Sequence, residues 1–182
     1  MDKYIFRTYL KHRRSSKGRH SIHSPFLYDL YNTCVVKNNF KGERFANSKN
    51  LEKRKAAKAQ FICCFVNNTY IDVVSALDLD SHYLMSYLSE DSINLSIVKP
   101  NQISIINAQN TAFDKQSNIA SFVKKYGRDF IIIDDIYVSQ EATANWENIK
   151  NDSEITLSVS FYNFGLITTN KDFTKQDFVL RF

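Results

Sequence analysis

The chain has 182 residues, of which 43% are hydrophobic and 24% are charged. It is therefore long enough for one domain with a sizeable core, and wholesale disorder is excluded. Glycine is unusually rare: the chain has four, about 2% of its residues, whereas an average protein has ~7%. The middle of the chain, between residues 43 and 126, contains none. This excludes a glycine-rich phosphate-binding loop from that region.

Charge divides the chain near residue 60. Residues 1–60 hold 15 Lys and Arg against 4 Asp and Glu, a net charge of +11, whereas residues 61–182 hold 9 against 15, a net charge of −6. At the same place the apolar spacing changes from helical to the short runs that are typical of strands. We therefore predict a basic helical N-terminal segment over residues 1–66 and a reduced α/β domain over residues 67–182.

The sequence predicts a cytoplasmic protein without a membrane span. The longest apolar stretch, Phe61–Val66, is far too short to cross a bilayer. The cysteines are Cys34, Cys63 and Cys64, an odd number with two adjacent members, so we expect reduced, buried thiols. The chain has no Cys-x-x-Cys pair, and no metal site is predicted.

Helices are predicted in the basic segment over residues 2–12, 25–38 and 47–61. Ser24 and Pro25 form a start signal for the second, because serine accepts hydrogen bonds from free amides and proline fits the first helical position. The third helix contains the basic run Lys49–Lys58, which we interpret as its exposed face.

A dense cluster of cations follows the first predicted helix. Its members are Lys11, Arg13, Arg14, Lys17 and Arg19. Such a cluster is suited to contact with the phosphates of a nucleic acid or another anionic partner. The alternatives are a solvated connector or a segment that docks on the acidic half of the same chain. We expect these side chains to lie largely in solvent.

Strands and helices alternate in the second part. Strands are predicted over residues 70–75, 94–98, 102–107, 129–134, 155–162, 166–169 and 177–182, and helices over residues 80–89, 115–126 and 139–150. This order is typical of a doubly wound α/β sheet that ends in an antiparallel edge. The unbroken apolar run of Asp129–Asp134 predicts a central strand covered on both faces.

Two segments resemble a known family. The first is the N-terminal GRHSIHSPFLYDLY, and the second runs through Asp134, Asp135, Ile136, Ser139, Glu141, Trp146, Phe161, Gly165, Phe178, Arg181 and Phe182. Both resemble a group of class I S-adenosylmethionine (SAM)-dependent methyltransferase-like proteins from Bacteroidetes. The resemblance implies a three-layer Rossmann-like sheet with an antiparallel C-terminal edge and a helical N-terminal appendage. In active members it implies SAM as cofactor.

The positions that correspond to the SAM site depart from the family pattern. The resemblance aligns its glycine-rich turn with a segment that includes Asp72, Val74, Ser75 and Asp78, and its ribose acceptor with Lys99. Val74 and Asp78 replace glycines that let the backbone approach the cofactor, and a β-branched valine resists a positive φ. Lys99 has only donors and cannot accept a hydroxyl proton.

Asp134 and Asp135 follow the predicted central strand, and three roles are open for them. In metal-dependent O-methyltransferases a similar pair contributes a magnesium ligand, but the partner acid is missing here. The other two roles are structural, or contact with a substrate or partner.

The sequence therefore favours a methyltransferase-like pseudoenzyme that has lost SAM binding and serves in interaction with a protein partner or a second copy of itself. The alternatives are an active SAM-dependent methyltransferase with an atypical cofactor site and a nucleic-acid-binding module that uses the basic N-terminus.

Overall fold

The computed structural model describes residues 3–37, 58–62, 64–65, 68, 73–76, 102–107 and 130–181. The helices are α1 (Lys3–Ser15), α2 (Pro25–Tyr31), which continues as a π-helical turn (Asn32–Lys37), and α3 (Gln140–Asn151), with a 3₁₀ turn at Arg19–Ser21. Residues 58–62, 64–65 and 68 are also helical and are called the Lys58 helix. The strands are β1 (Val73–Ala76), β2 (Gln102–Asn107), β3 (Phe130–Asp134), β4 (Leu157–Phe161), β5 (Phe164–Thr168) and β6 (Gln176–Leu180).

The six strands form one mixed sheet in the order β1-β2-β3-β5-β4-β6. β1, β2 and β3 are parallel, and β6 is parallel to β4. β5 alone is antiparallel to its neighbours, since the chain reverses after β4 in a tight turn at Tyr162 and Asn163. The mixed α/β class is therefore confirmed. The antiparallel strand, however, lies inside the sheet, and the edge strand β6 is parallel to its neighbour.

Helices cover both faces of β3, and all five of its residues are buried. Successive side chains of a strand point to opposite faces. Phe130 and Ile132 accordingly join a cluster with α2 and the Lys58 helix. Ile131 and Ile133 join a second cluster with α3. The predicted strand is confirmed, and its unbroken apolar run is explained by burial on both sides.

The N-terminal helices supply the core on one face of the sheet. Their buried members include Leu27, Leu30, Tyr31, Cys34, Phe61, Ile62 and Phe65. The ring of Phe61 packs at a tilt against those of Phe161 and Phe164, at ring-centroid distances of 5.0 and 5.2 Å. The predicted N-terminal appendage is therefore wrong: these helices are part of the domain core. The high positive charge suggested a segment that lies outside the core. The cations of these segments, however, alternate with apolar residues at helical spacing, so one side of each helix can be buried.

The other face of the sheet is built around Trp146 of α3. Its side chain is fully buried, and its indole Nε1 donates to Ser160 Oγ at 3.0 Å. The ring lies directly over Gly165 of β5, where an added Cβ would overlap the indole. The resemblance included Trp146 and Gly165, and the structure brings them into contact as a packing pair.

Cys34 and Cys64 form a disulfide, with their Cα atoms 5.5 Å apart. The expectation of reduced thiols is therefore wrong for this pair. The expectation rested on the odd number of cysteines and on the adjacency of Cys63 and Cys64, whereas the bond joins cysteines of two helices that are 30 residues apart in the chain. The disulfide ties the π-helical turn that follows α2 to the Lys58 helix.

The predicted cap at Ser24 is confirmed, and the last predicted helix also begins with a serine cap. Ser24 accepts from the Leu27 amide at 3.4 Å, and Ser139 accepts from the Ala142 amide at 3.0 Å. The second predicted helix is shorter than expected, since the α-helical geometry gives way to π-helical geometry at Asn32. The predicted elements at 47–57, 80–89, 94–98 and 115–126 lie outside the described residues. Within the described part of the chain, no helix combines the length and apolar character that a membrane span requires.

Candidate functional site at the carboxyl end of β3

The carboxylates of Asp134 and Asp135 stand at the end of the central strand β3. Asp134 is the last residue of β3 and pairs in register with Asn107, the last residue of β2. Asp135 follows directly. Because ligands of open α/β sheets bind outside the carboxyl ends of the strands, a functional site is expected at this edge.

The side chain of Lys58 reaches this edge from the interior of the protein and contacts both carboxylates. Its Nζ donates to Asp134 Oδ1 at 2.5 Å and lies 3.4 Å from Asp135 Oδ1. The side chain of Lys58 is 6% exposed and that of Asp134 is fully buried, whereas that of Asp135 is 39% exposed. Two of the three charges are therefore removed from water. A buried charge of this kind is tolerated only when it is paired.

The burial of Lys58 corrects the interpretation of Lys49–Lys58 as an exposed face. Lys58 precedes Phe61 and Ile62 by three and four residues, so it lies on the same side of the helix as these core residues. This spacing could have predicted the burial of Lys58 from the sequence. It was missed because the surrounding run of cations was interpreted as one solvated surface.

Asp135 has a left-handed backbone, with φ 55°. Its amide donates to the carbonyl of Asn163 at 2.8 Å and to Asp134 Oδ1 at 3.0 Å. Aspartate is among the few residues other than glycine that adopt this conformation. The turn holds the two carboxylates side by side, and non-glycine residues of this conformation cluster at functional sites.

The structure brings together only part of the site that the resemblance implies. Val74 and Ser75 lie in β1, where they pair with Ile103 and Ser104 of β2. The remaining positions of the implied SAM site, Asp72, Asp78 and Lys99, lie outside the described residues.

A divalent metal does not fit the acidic pair as it stands. Magnesium requires near-octahedral oxygen coordination at ~2.0–2.1 Å, whereas both carboxylates face the Lys58 ammonium. A dication about 4 Å from that ammonium would be repelled by about 8 kcal/mol at an effective dielectric constant of about 20. The described part of the chain also contains no group of three or more His, Cys, Asp or Glu side chains placed to hold a metal.

Helix α1 lies over the same edge of the sheet. The Tyr4 hydroxyl donates to Thr143 Oγ1 at 2.6 Å, near the start of α3. The Tyr162 hydroxyl, just after β4, donates to the Ile5 carbonyl at 2.9 Å. Since β3, β4 and β6 run in one direction and α1 contacts the segments that follow them, α1 covers the carboxyl ends of these strands.

His12 fixes the far end of α1 to the end of β6. Its Nε2 donates to the Leu180 carbonyl at 3.1 Å, and its ring packs edge-on against Tyr137 and Tyr162. Nδ1 is buried and has no hydrogen-bond partner among the described residues. Burial lowers the pKa of His12 from 6.5 to about 4, against the smaller raising effect of the Leu180 hydrogen bond.

We expect acid to weaken the fold through His12. Because the pKa is lower in the folded state, the unfolded chain takes up the proton first, and stability falls as the pH drops from about 6.5 towards 4. The full shift corresponds to about 3 kcal/mol. His12→Gln keeps a donor for Leu180 but does not titrate. Chemical denaturation at both pH values should therefore show a smaller loss for this variant than for the wild type.

The matched control is His20→Gln, because His20 is exposed. It should follow the wild type across the same pH range. Equal losses in the wild type and in His12→Gln would contradict the assignment to His12.

None of the family models, curated proteins or solved structures that were compared with the chain matches it. The methyltransferase resemblance thus remains an inference from the residues quoted above.

Proposed function

We propose that this chain is a methyltransferase-like α/β domain that does not transfer methyl groups and acts as a binding protein. The observation that carries the proposal is the pairing of Lys58 with Asp134 at the carboxyl end of β3. In an active enzyme of this type, polar groups at that edge would face a cofactor, a metal or a substrate. Here the most buried of these groups, the Asp134 carboxylate, is paired with the Lys58 ammonium of the same chain.

The covering of the same edge by α1 supports the proposal. Tyr4 and Ile5 bond to residues that follow β3 and β4, and His12 bonds to Leu180, the last residue of β6. These contacts fix α1 in place from its first turn to its last. A substrate would have to displace them in order to reach the ends of those strands.

The fold also agrees with a reduced Rossmann-like domain. Helices pack against both faces of a sheet whose first three described strands are parallel and adjacent. We propose that this arrangement is the three-layer architecture of the methyltransferase-like proteins. The substitutions at Val74, Asp78 and Lys99 favour loss of the cofactor site within it, for the steric and hydrogen-bonding reasons given above.

Calorimetric titration with SAM and with S-adenosylhomocysteine tests the proposal. We expect no saturable heat at ligand concentrations up to about 1 mM, where a retained site of micromolar affinity would be saturated. The variant Val74→Gly/Asp78→Gly restores the two glycines of the family turn. We expect it to bind weakly at most, because Lys99 still replaces the ribose acceptor.

Saturable binding at micromolar affinity by the wild type would contradict the proposal. It would favour instead an active methyltransferase with an atypical cofactor site.

A further inference from the structure

Helix α1 divides its side chains between the domain and solvent. Tyr4, Ile5, Tyr9 and His12 contact the body of the domain. The opposite side is cationic, and no Asp or Glu occurs between Lys3 and Ser15. This division leaves a basic surface facing outwards.

A groove of about 480 Å³ follows the outward side of α1. The described residues that line it are Arg7, Leu10, Lys11, Arg14 and Ser15. Its three cations are exposed, and none of them forms an ion pair with a carboxylate in the described part of the chain. We call Arg7, Lys11 and Arg14 the basic stripe.

The basic stripe has the dimensions of a short nucleic-acid segment. Its members are spaced i, i+4 and i+7, so they lie on one side of the helix over about 10 Å. Successive phosphates of one strand rise about 3.4 Å in duplex DNA and can lie farther apart in an extended single strand. Three long cationic side chains spread over about 10 Å can therefore each meet a phosphate of the same strand. Two of the three cations are arginines, whose guanidinium groups bind phosphate oxygens in pairs.

The structure divides the cation cluster that was predicted from the sequence. Lys11 and Arg14 line the groove, whereas Arg13 is exposed but does not line it. Lys17 is also exposed, and its backbone pairs with the end of β6. The expectation that these four side chains lie in solvent is confirmed, and Arg19 is half-buried. Arg7, which the sequence prediction omitted, belongs to the stripe.

A membrane surface fits α1 less well than a nucleic acid. An amphipathic helix binds lipid through its apolar face, but Tyr4, Ile5 and Tyr9 of α1 use that face against the domain. The side chain of Phe6, by contrast, is 45% exposed, and Phe6 is next to Arg7 in the chain. An exposed aromatic ring beside a cationic groove is the combination on which single strands stack their bases.

We propose that the basic stripe binds the phosphate backbone of single-stranded nucleic acid. The proposal goes beyond the proposed function and does not depend on it. The exposed cations of the stripe are not the residues by which α1 contacts the carboxyl edge of the sheet, which are Tyr4, Ile5 and His12. Either proposal can therefore fail alone.

Fluorescence anisotropy with a labelled oligonucleotide of about twenty nucleotides tests the stripe. Three phosphate contacts on a single strand predict a salt slope of about −2, and binding should therefore weaken about 20-fold between 50 and 200 mM salt. Neutralising the stripe with Arg7→Gln/Lys11→Gln/Arg14→Gln should weaken binding at least about tenfold at the lower salt concentration. Circular dichroism should show that the exposed substitutions leave the fold intact.

The matched pair Arg14→Gln and Arg13→Gln separates the groove from net charge. Both variants remove one exposed arginine from α1, but only Arg14 lines the groove. Arg14→Gln should lower the salt slope by about 0.7, whereas Arg13→Gln should leave it nearly unchanged.

Three results would overturn the proposal. They are the absence of binding by the wild type at 50 mM salt, equal affinities of the wild type and the triple variant, and tighter binding to phosphatidylserine vesicles than to the oligonucleotide. The last would assign the stripe to a lipid surface.

Discussion

Replacing Lys58 with methionine is expected to lower the free energy of unfolding by about 3–5 kcal/mol, as breaking a buried ion pair from one side does. Methionine retains much of the length of the side chain, so the loss comes mainly from the charge. Asp134 is fully buried and would lose the ammonium bonded to its Oδ1. Equilibrium denaturation in urea measures the loss.

Two variants control this experiment. Lys171→Met removes an exposed lysine and should change stability by no more than about 0.5 kcal/mol. Lys58→Met/Asp134→Asn removes both charges and should recover a large part of the loss, since no buried charge remains unpaired. If Lys58→Met were as stable as Lys171→Met, the ion pair would have no structural role.

Reducing the disulfide between Cys34 and Cys64 is expected to cost about 3–4 kcal/mol of stability. The bond closes a loop of 30 residues, and the chain-entropy relation for a loop of that length gives this magnitude. The effect arises mainly in the unfolded chain, which gains freedom when the cross-link is removed. Denaturation curves with and without dithiothreitol measure the difference directly.

The neighbouring cysteine provides the control. Cys34→Ala cannot form the bond, so its stability should not respond to the reductant, whereas Cys63→Ala should respond as the wild type does. A wild-type protein that is insensitive to dithiothreitol under denaturing conditions would contradict the pairing.

The sequence predicts the strands of this fold better than the position of its N-terminal segment. β2 and β3 were predicted because their runs are short and rich in isoleucine, which favours a strand over a helix. The cap at Ser24 was predicted because a local hydrogen bond defines it. The packing of the Lys58 helix against the sheet depends on contacts between residues far apart in the chain, such as Phe61 with Phe164. Charge counts carry no information about such contacts.

The two acidic residues of the candidate site were predicted from the sequence, but the lysine that pairs with them was not. Asp134 and Asp135 were identified because they follow a buried strand, whose carboxyl end is a common ligand position. Their partner Lys58 precedes Asp134 by 76 residues, and only the three-dimensional structure brings the two together. The burial of His12 was not predicted either, because it stands between Lys11 and Arg13, two of the cations expected in solvent. It follows Tyr9 by three residues and therefore lies on the inward side of α1.

Whether Lys58 or an external cation neutralises Asp134 and Asp135 is tested most directly by titration with Mn²⁺, a paramagnetic substitute for Mg²⁺. Binding is followed by the broadening of backbone amide resonances in the NMR spectrum. If Lys58 holds the pair, Mn²⁺ should cause no selective broadening at Asp134, Asp135 and Ile136 in the wild-type protein. Saturable broadening that is strongest at these three amides and weakens with distance from them would show that the edge binds a metal, and would contradict a site closed by its own lysine.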